Sequence, residues 1–187
     1  MRKASNILYL LFTIIFIASC EIQENFEYES STTPDAGKFE GNALDYIKND
    51  KDLSLLNKAI DLSGLQALFT TDATRTFVCP NDKAFNDYLK QEGYESLEKV
   101  PTNVLQDILK YHIAKGYYYT HDPEYIESNK TTEFETESNN PMLFSHNSNF
   151  QVLINEGTQQ TITVYISNIR PNNGVIHITT KIAEYKP

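Results

Sequence analysis

Between residues 42 and 109 the apolar positions recur at steps of three and four, the helical period. Leu44 and Ile47 share one face of a short helix over 42–49. Leu53, Leu56, Ala59 and Ile60 carry the pattern on, with Asp52 placed as N-cap and Gly64 as the stop. Leu65, Leu68 and Phe69 form a short apolar segment before a polar loop over 70–75. The period then breaks. Phe77 to Cys79 is an apolar run with a β-branched centre, which predicts a buried strand. Pro80 has no N–H to donate and is expected to end its pairing. Asn81 or Asp82 then caps a helix that carries Ala84, Phe85, Tyr88 and Leu89 to about Glu92, with Gly93 behind it. Pro101 opens a further helix, striped by Val104, Leu105, Ile108 and Leu109.

After Tyr111-His112-Ile113 the chain becomes extended and the period falls to two. Gly116 allows a turn, and Tyr117, Tyr118 and Tyr119 follow. Strands are predicted over 132–136, 142–144, 150–154, 161–166 and 175–179, with a last one over 182–185. Asn140-Pro141, Glu156-Gly157 and Asn173-Gly174 separate them as turns. Helices first and strands second give an α+β domain over 41–187, not alternating βαβ units.

The N-terminus follows different rules. Arg2 and Lys3 precede an apolar stretch from Ile7 to Ala18, too short for a membrane span and typical of a secretory signal over 1–19. Ile17-Ala18-Ser19-Cys20 resembles the lipobox of bacterial lipoproteins. That resemblance implies cleavage before Cys20, a lipid on its sulfur and acylation of the new amino terminus. Residues 20–40 then carry Glu21, Glu24, Glu27, Glu29, Asp35 and Glu40 against Lys38, and read as a flexible acidic tether. Acidic residues directly behind the cysteine resemble the surface-export signals of Bacteroidetes lipoproteins; a plain solvated spacer is the alternative.

Composition narrows the functional classes. A net charge of −9 with no basic stripe argues against nucleic acid as a partner. With Cys20 assigned to lipid, Cys79 is a small hydrophobe in a strand, where a thiolate would be desolvated. His112, His121, His146 and His177 lack the spacing of a metal site, so no metal or cofactor is assigned. His112 and His177 read as core histidines that donate to backbone carbonyls. His121 with Asp122 and Glu124 is at most a loose cation site.

Three stretches carry a family likeness. Thr76-Phe77-Val78-Cys79-Pro80-Asn81-Asp82-Lys83-Ala84-Phe85 resembles the first box of fasciclin-like domains. Tyr111-His112 stands where that family has a tyrosine–histidine pair. Asn173-Gly174-Val175-Ile176-His177-Ile178 resembles the second box, with Thr180 where the family usually has Asp. The resemblance implies a β-wedge or sandwich with the N-terminal helices packed on it. It also implies an extracytoplasmic adhesion or binding module without enzymatic activity.

Tyr117 and Tyr119 should share one face and Tyr118 the other, which makes the first two a candidate binding surface; ordinary wedge packing is the alternative. The expected function is a lipid-anchored envelope protein, in the outer membrane and open to the cell surface. It would dock on a protein or glycan partner such as a nutrient-uptake complex. Two alternatives stand beside it. One is a glycan hydrolase using Glu133, Glu135 and Glu137, which otherwise form a solvated face. The other is a purely structural envelope protein.

Overall fold

The computed structural model describes residues 37–185. The signal segment, Cys20 and most of the acidic tether lie outside the described residues. The tether's last residues do not: Phe39 N–H donates to Arg170 O at 3.0 Å, and the Phe39 ring meets Tyr46 edge to face at 5.2 Å. The folded unit therefore includes residue 37 onward, ahead of the boundary expected at 41.

Among the described residues, five α-helices lead into and flank the first strands. They are α1 (Ala43–Asn49), α2 (Ser54–Ser63), α3 (Gln66–Thr70), α4 (Asp82–Glu92) and α5 (Thr102–Tyr111). Their ends show why they form. Asn42 and Asp45 make a reciprocal capping box at α1. Asn81 Oδ1 accepts from Ala84 N–H at 3.1 Å at α4. Gly64 and Gly93 close α2 and α4 in the left-handed region, at φ 72° and 74°. The α2 start differs from expectation. Asp52 lies inside a 3-10 turn over Lys51–Leu53 and caps nothing; Asp82 reaches across to accept from Ser54 Oγ at 2.6 Å and Leu55 N–H at 2.7 Å. The apolar segment at 65–69 is largely the short α3.

The strands are β1 (Arg75–Pro80), β2 (Ile113–Ala114), β3 (Thr132–Glu135), β4 (Pro141–His146), β5 (Val152–Ile154), β6 (Ile162–Ile169) and β7 (Gly174–Thr179). They form a seven-stranded sheet in the order β2-β1-β7-β6-β5-β4-β3. Among the described strands, β1 and β7 run parallel and the other neighbours are antiparallel. The two ends of this order meet. Lys115 N–H donates to Glu135 O at 2.8 Å and Glu137 N–H to Ile113 O at 2.9 Å, which nearly closes the sheet into a wedge. The seam requires Gly116, because a Cβ there would lie 2.2 Å from the Phe134 ring.

Two cores result. Phe77, Cys79, Ile176 and Ile178 face the helices and pack with Leu56, Phe85 and Leu105. Val78, Tyr118, Met142, Phe144 and Val164 fill the inside of the wedge. All six residues of β7 are buried, because it has helices on one side and the wedge interior on the other. Fully burying a side chain such as Phe85 contributes roughly 1.5–3 kcal/mol.

Three further expectations need correction. Pro80 does not end the ladder: it lies opposite Thr179, and Asn81 N–H donates to Thr179 O at 2.9 Å. Pro80 has the parity of Val78, whose N–H faces β2; that strand stops short of Pro80, so the missing donor has no ladder partner to lose. Residues 182–185 form no strand, because both edges of β7 are already taken by β1 and β6. Side chains satisfy this backbone instead: Ala183 N–H donates to His112 Nε2 and Glu184 N–H to Gln160 Oε1. Phe150 sits in a turn at φ 57°, outside β5.

Candidate functional site

The stretches singled out in the sequence are three neighbours in space. Thr76 to Pro80 lies in β1, beside Val175 to Thr179 of β7, and Tyr111-His112 leads straight into β2 on the other side of β1. Their polar atoms are used inside the fold. Thr76 Oγ1 donates to Gly116 O at 2.8 Å and accepts from Tyr118 N–H at 2.9 Å. Phe77 stacks on Phe69 at 5.6 Å, while Ala84 and Phe85 are buried against the helices. Asn173 is buried and ties distant segments: its Oδ1 accepts from Ala43 N–H at 2.8 Å, and its Nδ2 donates to Phe69 O and Thr71 O at 3.0 Å. Gly174 is required by close approach, since a Cβ would lie 2.1 Å from Arg75 O. Val175 and Ile176 are buried on the two faces of β7.

Both motif histidines are neutral supports. His112 Nδ1–H donates to Ile108 O at 2.8 Å and its Nε2 accepts from Ala183 N–H at 2.9 Å. His177 Nε2–H donates to Tyr118 O at 2.9 Å and its Nδ1 accepts from Asn168 N–H at 3.3 Å. Each ring therefore has its tautomer set by one donor and one acceptor. Burial lowers both from 6.5 to about 4. Cys79 is fully buried, and desolvation pushes its thiol far above the usual range.

Tyr117 and Tyr119 are half-buried on one side of the chain, with Tyr118 buried on the other. Their rings stand 6.3 Å apart, and the row continues through His121 at 5.3 Å to Phe150 at 4.9 Å and His146 at 5.2 Å. The Arg170 guanidinium lies 4.7 Å from the Tyr119 ring centre. The Phe150 ring is stacked between His121 and His146, so the row fastens residues 117–121 to the turn over 147–151. His121 is part of that row, and Asp122 Oδ1 caps its own turn by accepting from Glu124 N–H.

An open groove lies elsewhere, between the C-terminal end of α5, the turn over 137–140 and the extended segment 183–185. Its volume is about 560 Å³, within the range of small-ligand sites. Tyr111 forms its floor. The Tyr111 hydroxyl accepts from Asn155 Nδ2 at 3.0 Å and donates to Pro141 O at 3.3 Å, so this ring is a fixed support. Tyr185 meets it edge to face at 6.0 Å and is 41% exposed. Asp107 and Lys110 stand at one rim, Asn139 and Asn140 at the other.

The model of the fasciclin domain matches residues 51–183, more than half of the chain. The chain belongs to the fasciclin domain family. Among solved structures it resembles a pair of fasciclin domains from the insect cell adhesion molecule Fasciclin I, with a TM-score of 0.63 and 16% sequence identity. That likeness covers 78% of this chain and 51% of the insect chain, so this chain spans about half of that one; at such identity it shows the fold. No curated protein matches the chain.

Within this fasciclin domain the carboxylates considered for hydrolysis stand in different settings. Glu133 and Glu135 are exposed on β3, and Glu135 pairs with Lys115 at 2.8 Å. Glu137 lies beyond the strand and pairs with Arg75 at 2.8 Å. The pattern of residues did not reveal Asp107, Lys110, Asn155 or Tyr185 as neighbours of Tyr111. Asp82 did leave a signal. Asn81-Asp82 supplies two capping residues to a helix that uses one, which frees the second for another helix.

Proposed function

We propose that this chain is a lipid-anchored lipoprotein of the outer membrane, open to the cell surface. Its fasciclin domain docks without catalysis on a protein or glycan partner at the envelope. Family membership supports an adhesion or binding module. The solved relative is described as a cell adhesion molecule, which agrees with that reading. The anchor rests on Ile17-Ala18-Ser19-Cys20, and two or more acyl chains hold a protein at a membrane durably. With the folded unit starting at residue 37, a tether of roughly 17 residues gives a typical reach of about 20–25 Å. That reach suits a neighbour in the same membrane, such as a nutrient-uptake complex.

The observation that carries the docking reading is the groove beside Tyr111, a concave, partly aromatic surface with side chains not used by the core. The groups with catalytic potential are engaged elsewhere: His112 and His177 hold backbone, and Cys79 packs between sheet and helices. Cross-linking in living cells, followed by mass spectrometry, tests the proposal. The expected result is a recurrent partner of the wild-type chain that is lost with Cys20→Ala, together with loss of membrane association. Recovery of monomer alone, or a Cys20→Ala chain that still fractionates with membranes, would count against it.

A further inference from the structure

We infer that the groove between α5 and the 137–140 turn binds an uncharged glycan, with a sugar ring resting on Tyr185. The inference builds on the docking reading and names the ligand class and its site.

Charge balance is the first argument. Asp107, Glu137 and Glu184 line the groove with Lys110, and Glu137 already holds Arg75 Nε at 2.8 Å. Three carboxylates against two cations leave little net field, so neither an anionic nor a strongly basic ligand gains much there. A polyhydroxylated ligand gains more, because it needs donors and acceptors side by side.

The groove offers them. Lys115 Nζ donates to Asn139 Oδ1 at 3.2 Å, and Asn140 Nδ2 donates to Ser138 Oγ at 3.2 Å. These bonds orient the two amides and leave the Asn139 nitrogen and the Asn140 oxygen without a side-chain partner among the described residues. Asp107 and Lys110 on the opposite rim make no ion pair among the described residues. Donors and acceptors thus stand on both sides of the groove.

Tyr185 supplies the apolar contact. It is 41% exposed, and buried Tyr111 braces it at 6.0 Å, so ordering it on binding carries a small entropy cost. In the Tyr117 to His146 row the exposed ring, Phe150, is sandwiched between His121 and His146, so its faces are already taken.

Affinity electrophoresis of the full-length chain in detergent tests the inference. The gels contain xylan, β-glucan, mannan or starch as neutral probes, and heparin or polygalacturonate as charged ones. The expected result is retardation by at least one neutral polymer. Tyr185→Ala should weaken it about tenfold, the scale of one aromatic contact, while Tyr185→Trp retains it. Tyr165→Ala, an exposed tyrosine on β6 outside the groove, should behave as wild type. Retardation by none of the neutral polymers, by the charged ones alone, or equally in Tyr185→Ala, would overturn the inference. A cross-linked envelope partner recovered alongside that result would leave the docking reading standing and remove the glycan groove alone.

Discussion

Mild acid should destabilise this domain through its two buried motif histidines. Both are fully buried, and burial holds each at about 4 against 6.5 in an exposed chain. A depressed value means that the folded state refuses protons the unfolded state accepts. The stabilisation is therefore complete above pH 6.5 and is lost as pH falls toward 4. Between pH 7 and pH 5 each ring loses somewhat under 2 kcal/mol, so the pair loses about 4 kcal/mol. That is a large share of a typical domain stability of about 5–15 kcal/mol. Urea unfolding at half-unit steps from pH 7 to pH 5 measures the slope. The single variants His112→Gln and His177→Gln should each remove about half of it, whatever they do to stability at pH 7. Imidazole resonances of the folded protein should also hold their neutral positions down to pH 5. A wild-type stability that is flat over this window, or variants that keep the full slope, would refute the assignment of both rings as neutral core supports.

The remaining predictions concern the framework. Asp82→Ala removes the acceptor of Ser54 Oγ and Leu55 N–H and should cost about 1–2 kcal/mol, read as a lower urea midpoint with an unchanged slope. A loss no larger than that of the exposed neighbour change Lys83→Ala would show that the cross-helix cap is inert. Gly174→Ala drives a methyl to 2.1 Å from Arg75 O and should cost more than about 4 kcal/mol by forcing β1 and β7 apart. Gly157→Ala, at φ 82° with open space around it, should cost about 1 kcal/mol, and equal losses at the two sites would remove the close-approach argument.

Much of the architecture is legible in the residues because it depends on local chemistry. Asn81, Gly64 and Gly93 end helices through their own side chains or backbone freedom, and each does so where the pattern put it. Thr76 to Phe85, Tyr111-His112 and Asn173 to Ile178 carry the family likeness, and the family match spans all of them. Longer-range relations were hidden for the same reason. Ile182 to Tyr185 has the composition of a strand, yet whether it pairs depends on a vacant edge, and β7 has none. Asp52 has the chemistry of a cap, but Asp82 occupies that role from another helix.

Asn173-Gly174 shows the same division in one step. Asn173 sits in the turn that joins β6 to β7, as its composition suggests, but only the fold shows that it is also buried with bonds to Ala43 and to the end of α3, and that Gly174 begins β7 against Arg75.

The sequence by itself determined the α+β order, the helix ends and the framework motifs, since these follow from side-chain period and capping within a few residues. Only the tertiary structure decided that β1 and β7 run parallel, that Ala114 meets Thr136 to close the wedge, and that Tyr185 lies on Tyr111 beside the 137–140 turn. These contacts join residues far apart in the chain, and no local pattern ranks one such pairing above another. They depend on which edges and surfaces the rest of the fold leaves open.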